Sequence, residues 1–124
     1  MKVYQVESYK VKIERFEDII AWQKAKELSI AIYSQFRDCR DYGFKDQICR
    51  ATVSIMNNIA EGFERQTNNE LRQYLFIAKG SSGEVRSMLH LASELNYISA
   101  EKYKQLQDNS TEIARMLSGF IKKL

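Results

Sequence analysis

The most constraining feature of the sequence is an unbroken stripe of apolar and small residues. It runs Leu71, Leu75, Ala78, Ser82, Val85, Leu89, Ala92, in alternating steps of four and three. That period is the signature of one face of an α-helix. The stripe passes straight through Lys79-Gly-Ser-Ser-Gly-Glu84, which by composition alone resembles a loop. Two helical glycines cost about 2 kcal/mol relative to Ala, but an intervening loop would reset the phase. The preserved phase predicts one continuous helix with a patch of small residues.

Three further segments carry the same period. Ala21, Ala25, Leu28, Ile32 and Phe36 share a face after Phe16, with Ile19 and Trp22 beside it. The second stripe is Ile48, Ala51/Thr52, Ile55, Asn58/Ile59 and Gly62/Phe63, in a helix expected to begin near Phe44 after a charged loop over residues 37–43. The last is Tyr103, Leu106, Ser110, Ile113, Leu117, Phe120 and Leu124. Thr67 or Asn68 can cap the third helix, with Glu70 completing a Thr-x-x-Glu box, and Ser99 can cap the fourth. Asn96 suits a left-handed residue ending the third.

The chain has 124 residues, no proline and five glycines, which favours long regular elements over tight turns. The fold class expected is all-α, an antiparallel up-down-up-down four-helix bundle over residues 16–124. Residues 1–15 differ. Tyr9, Val11 and Ile13 alternate with charged residues in a strand-like period with nothing local to pair with, so they read as an extended N-terminal arm.

Function is less legible. A net charge of +3 is mild, and Cys39 and Cys49 form no motif, so they read as reduced thiols. No apolar run approaches the roughly 18 residues of a membrane span, and no signal-like core opens the chain. The expectation is a cytoplasmic protein with no membrane role. His90 is the only histidine and has no second ligand at metal spacing, so neither metal nor cofactor is expected. Glu61, Glu70 and Glu84 lie near arginines, which makes ion pairing their default role. The 79–84 segment lacks the order of a phosphate loop. No catalytic residue stands out, and the chain is expected not to be an enzyme.

One stretch conflicts with local propensity. Asn57, Asn58 and Gly62 are poor helix formers, yet they sit within the second stripe. Asn58 and Gly62 fit a close helix–helix approach in which a trapped polar group sets register. Alternatively, Asn58 turns to the helix edge and meets water. Arg50, Ser54, Asn57, Glu61 and Arg65 form a polar stripe alongside, with Arg50 expected to be buried against acidic partners.

At these residues the chain resembles a known family, the four-helix-bundle proteins of 23S rRNA intervening sequences. The similarity runs from about Phe16 to Ser99. It is carried by Trp22-Gln23-x-Ala25, Tyr42-Gly43, Gln47-Ile48-x-Arg50-Ala51, Ser54-Ile55, Asn58-Ile59-Ala60-Glu61-Gly62, Arg65, Glu70, Ile77-Ala78-x-Gly80-Ser81 and Glu84. Such proteins were first noticed in bacterial rRNA gene insertions. They are similar to the accessory variability determinant of diversity-generating retroelements, a pentameric partner of a reverse transcriptase. The resemblance implies a bundle assembling into a ring, typically a homopentamer. Trp22, Arg50, Asn58, Glu61, Gly62, Arg65, Gly80 and Glu84 would form its structural and assembly motif. Three positions depart from the pattern. Met56 replaces a frequent proline, the loop before Tyr42 lacks Phe-Pro, and Cys49 stands where a second arginine is common.

Five copies of a +3 chain would place about +15 on one particle, and multivalent phosphate contacts would then add. The expected function is binding of structured RNA, or of DNA, through Lys24, Lys26, Arg37, Arg40, Lys45, Arg72, Lys79, Lys122 and Lys123. Tyr9, Tyr42 and Tyr97 could stack on bases, although packing is the commoner role. The alternative is a protein-interaction scaffold for a nucleic-acid enzyme such as a reverse transcriptase.

Overall fold

The computed structural model describes residues 2–6 and 9–124, with side chains described from Ile13 onward. Four helices form the body: α1 (Ile20–Gln35), α2 (Tyr42–Phe63), α3 (Asn68–Glu94) and α4 (Ala100–Lys122). Each of α1 and α3 packs against both α2 and α4, so four apolar stripes close around one core. No helix among the described residues is long and apolar enough to cross a membrane.

The helix ends follow local chemistry. Asp41 Oδ1 accepts from the Phe44 N–H (3.2 Å), which starts α2 two residues earlier than its apolar stripe implies. Thr67 Oγ1 accepts from the Glu70 N–H (3.1 Å), and Ser99 Oγ accepts from the Lys102 N–H (3.1 Å). Such caps are each worth about 1 kcal/mol. Glu70 closes its box by accepting from the Thr67 hydroxyl (3.0 Å) instead of the Thr67 backbone. Asn96, at φ 59°, ends α3, with the Tyr97 N–H donating to Ala92 O and the Asn96 N–H to Ser93 O. This is the paired hydrogen-bond pattern of a left-handed helix terminus.

Every residue of the α3 stripe is buried, and α3 continues through 79–84 without a break. Leu75, Val85 and Leu89 flank that segment and are fully buried. Each such side chain contributes about 1.5–3 kcal/mol, so burial outweighs the cost of the two glycines. The buried hydroxyls are satisfied. Ser29 donates to Ala25 O, Thr52 to Ile48 O, and Ser82 to Lys79 O, while Ser110 Oγ crosses from α4 to Ser82 O (3.2 Å).

The N-terminal segment differs from the expectation in one respect. Tyr9–Ile13 is a strand (β2), but it is not alone: it pairs antiparallel with β1 (Lys2–Val6), Val6 facing Tyr9 and Lys2 facing Ile13. The period was legible only in the second strand, so its local partner went unseen. The stacking role considered for the Tyr9 side chain lies outside the described side chains.

Candidate functional site

α2 and α3 approach closely at Gly62. A Cβ placed there would lie 2.6 Å from Tyr74 Cβ and 3.2 Å from Leu71 Cδ1. Tyr74 Cβ is bonded directly to the α3 backbone and cannot swing aside, and the Leu71 carbonyl oxygen of that backbone lies 3.4 Å away. Gly62 is therefore required by the approach of α3, since its φ is not positive. Around it, Arg65 Nη2 donates to Glu61 Oε1 (3.1 Å) and to the Tyr74 hydroxyl (2.6 Å), and that hydroxyl donates to Glu61 Oε1 (3.3 Å). The guanidinium lies 5.1 Å from the Tyr74 ring centroid. The Tyr74 hydrogen bond, then its charge interaction and the Glu61 bond, hold Arg65 firmly in its cationic form. Tyr74 was missed in the sequence because only the α2–α3 register brings it to Gly62.

Asn58 is half-buried. Its Nδ2 donates to Ser54 O (2.8 Å) and Ser54 Oγ (2.9 Å), and the Ser54 and Ser81 hydroxyls share a 2.9 Å hydrogen bond between α2 and α3. Asn58 thus reaches α3 through Ser54 instead of bonding across the gap itself. Nearer the start of α2, Gln47 Nε2 donates to Glu84 Oε2 (3.4 Å).

Two motif residues depart from expectation. Arg50 is not buried: its side chain is 80% exposed and pairs with Asp46 (3.1 Å) on its own helix. The i, i+4 spacing satisfies it locally and leaves it on the outer face. Gly80 packs against nothing, because a Cβ there would meet no atom within 4 Å. It lies instead on the outward face of α3, where Phe76, Gly80, Ser87 and Leu91 share one side and Ile77 and Leu95 flank it. All six are exposed. Trp22 is half-buried at the start of α1, edge-on to Phe16 (5.2 Å), with Lys26 Nζ 5.7 Å from its centroid.

The nine sequence-selected cations are spread over all four helices, the α1–α2 connection and the end of α4. Lys24 pairs with Glu112 (3.3 Å), and Lys45 Nζ donates to Arg37 O (2.7 Å) beside the α1–α2 connection. Arg37, Arg40, Lys79, Lys122 and Lys123 are exposed and Arg72 is half-buried. None of these six has a carboxylate within 4.0 Å among the described residues. Tyr42 is exposed, whereas Tyr97 packs edge-on against Phe44 and donates to Asp41 Oδ2 (2.8 Å). His90 is exposed and bonds the Tyr103 hydroxyl through Nδ1 (2.8 Å). Burial pushes the Cys49 thiol up, away from the nucleophilic thiolate. Among the described residues, no group of three or more His, Cys, Asp or Glu is placed to hold a metal ion.

A crystal structure of a protein of unknown function from the S23 ribosomal protein family of Bacteroides thetaiotaomicron is similar to this chain. The two superpose with a TM-score of 0.79 at 28% identity, over 83% of this chain and 99% of the other. No curated protein matches the chain at a significant level. The sequence model described as "23S rRNA-intervening sequence protein" matches residues 17–119, a span that takes in the Gly62 contact, α1 to α3 and most of α4. The chain belongs to the 23S rRNA-intervening sequence protein family.

Proposed function

We propose that this protein is a non-enzymatic, homo-oligomeric bundle that binds structured RNA through its basic surface in the cytoplasm. The observation that carries this reading is the set of exposed cations without carboxylate partners, Arg37, Arg40, Lys79, Lys122 and Lys123. Uncompensated surface cations release phosphate counterions on binding, and their effect multiplies across copies. The outward face of α3 supports self-association, since apolar side chains around an open glycine permit close helix packing.

An up-down-up-down arrangement is supported by the order of contacts. Gln47, Ser54 and Glu61 meet Glu84, Ser81 and Tyr74 in turn, while His90 and Arg86 meet Tyr103 and Gln107. In this reading copies associate into a ring, and the N-terminal arm is anchored on the bundle through Ile13, which is buried in the core.

The test is fluorescence anisotropy with a labelled RNA hairpin. Affinity should fall by about 100-fold between roughly 50 and 200 mM salt if about four phosphates are contacted. No binding at the lower salt would remove the proposal. A second reading, a scaffold for a nucleic-acid enzyme such as a reverse transcriptase, is favoured by exposed Tyr33 and Tyr42. They line an open trough of about 570 Å³ with Lys45 and Asp46. It predicts that such an enzyme copurifies with the wild type and is lost with Tyr42→Ser.

A further inference from the structure

The face between α3 and α4 carries a basic feature that joins Lys122 to two arginines outside the sequence-selected set. Arg86 of α3 and Arg115 and Lys122 of α4 line a trough of about 440 Å³, together with Thr111, Ser118 and Gly119. We propose that this trough is a phosphodiester-binding site that seats an RNA backbone. It rests on the RNA-binding reading above and assigns that reading a place.

Helical spacing builds the α4 wall. Thr111, Arg115, Ser118 and Lys122 follow in steps of four, three and four, so they share one face and extend about 16 Å along the axis. Arg86 supplies the opposite wall and is held in place. Its Nη1 donates to Ser82 Oγ (3.2 Å), whose own hydrogen is committed to Lys79 O, and the Arg86 carbonyl accepts from Gln107 Nε2 (3.1 Å). A guanidinium has five N–H donors, so four remain for an acceptor. The floor is low, because a Cβ at Gly119 would meet nothing within 4 Å.

The charges are uncompensated. Among the described residues no carboxylate lies within 4.0 Å of Arg86, Arg115 or Lys122, and the α4 acids nearby are engaged: Glu112 with Lys24 (3.3 Å) and Asp108 with Lys104 (2.8 Å). Three like charges gathered around one depression repel each other, and a polyanion relieves that repulsion. The shape selects a polymer. A small ligand is held by burying most of its surface, which an open trough cannot do. A nucleic-acid backbone instead takes successive contacts from arginine, lysine and hydroxyl groups along its length.

The experiment compares Arg115→Gln/Lys122→Gln with Lys102→Gln/Lys104→Gln, which removes the same charge at the start of α4, away from the trough. The probe is a fluorescein-labelled RNA hairpin, with circular dichroism melts to verify folding. The trough variant should bind about 10-fold more weakly near 100 mM salt, and its log–log salt slope should fall by about two. The Lys102→Gln/Lys104→Gln variant should keep the wild-type slope, and so should Arg115→Lys, which retains the charge. A trough variant that binds with wild-type affinity and slope overturns this site while leaving RNA binding intact. A wild type that binds no RNA overturns the underlying reading and this site with it. Displacement of the RNA by poly-glutamate as effectively as by unlabelled RNA of equal charge would overturn the preference for phosphate.

Discussion

Gly62 and Gly80 both interrupt helical sequence, and each costs about 1 kcal/mol relative to Ala. Their surroundings are opposite. At Gly62 the missing side chain makes room for Tyr74 and Leu71, so the chain itself explains the glycine. At Gly80 the missing side chain leaves open space on an exposed face that also carries Phe76 and Leu91. One glycine closes the fold, and the other marks a surface that the single chain does not use. A shared residue type and shared motif membership thus say little about role until the register of neighbouring helices is known.

Substitutions at these positions separate the two roles. Gly62→Ala should have the largest effect. Overpacking against atoms that cannot move typically costs 1–3 kcal/mol or somewhat more, and the helix-propensity gain of about 1 kcal/mol offsets only part of it. A net loss of about 2 kcal/mol is expected in urea denaturation, and an unchanged midpoint would mean that α3 can retreat. Gly80→Ala should have the opposite sign. It should stabilise the dilute chain by about 1 kcal/mol while weakening self-association in analytical ultracentrifugation. A loss of stability in the dilute chain would mean that Gly80 is packed after all.

The smallest effect is expected at the far tie between the α3–α4 connection and α2. The Tyr97 hydroxyl, and after it the Phe44 N–H, holds Asp41 below the usual carboxylate range, and the same bond raises Tyr97. A depressed carboxylate contributes stability above its unfolded pKa, near 4, and loses it as pH falls through the lower folded value. A raised phenol contributes below its unfolded pKa, near 10, and loses it as pH rises through the higher folded value. Tyr97→Phe should therefore flatten the acid limb of stability below about pH 4, read from urea midpoints, and should change neutral stability less than Gly62→Ala. An equal or larger neutral loss would shift the emphasis away from the α2–α3 contact.

Much of the fold was legible because helical period is local. The α3 stripe from Leu71 to Ala92, the Thr67 and Ser99 caps and the Asn96 terminus all depend on residues within a turn or two of each other. The start of α2 was misplaced because Asp41, a charged residue in an apparent loop, supplies the cap. The candidate site was less legible because it depends on the meeting of helices. Gly62 was recognisable as a packing residue, but Tyr74 could not be named as its partner. Arg50 was taken as buried because its spacing places it beside the seam, whereas Asp46 satisfies it outside. Arg86 and Arg115 belong to no local pattern, and only the packing of α3 on α4 brings them to one trough.

The central claim is that α3 presents a closed inner face and, in the proposed assembly, an outer face that meets another copy. Native mass spectrometry of the wild type and Gly80→Leu tests it most directly. The account predicts a wild-type mass that is a multiple of 14.5 kDa, falling to that of one chain in Gly80→Leu with helix content unchanged. A wild type with the mass of a single chain would contradict it.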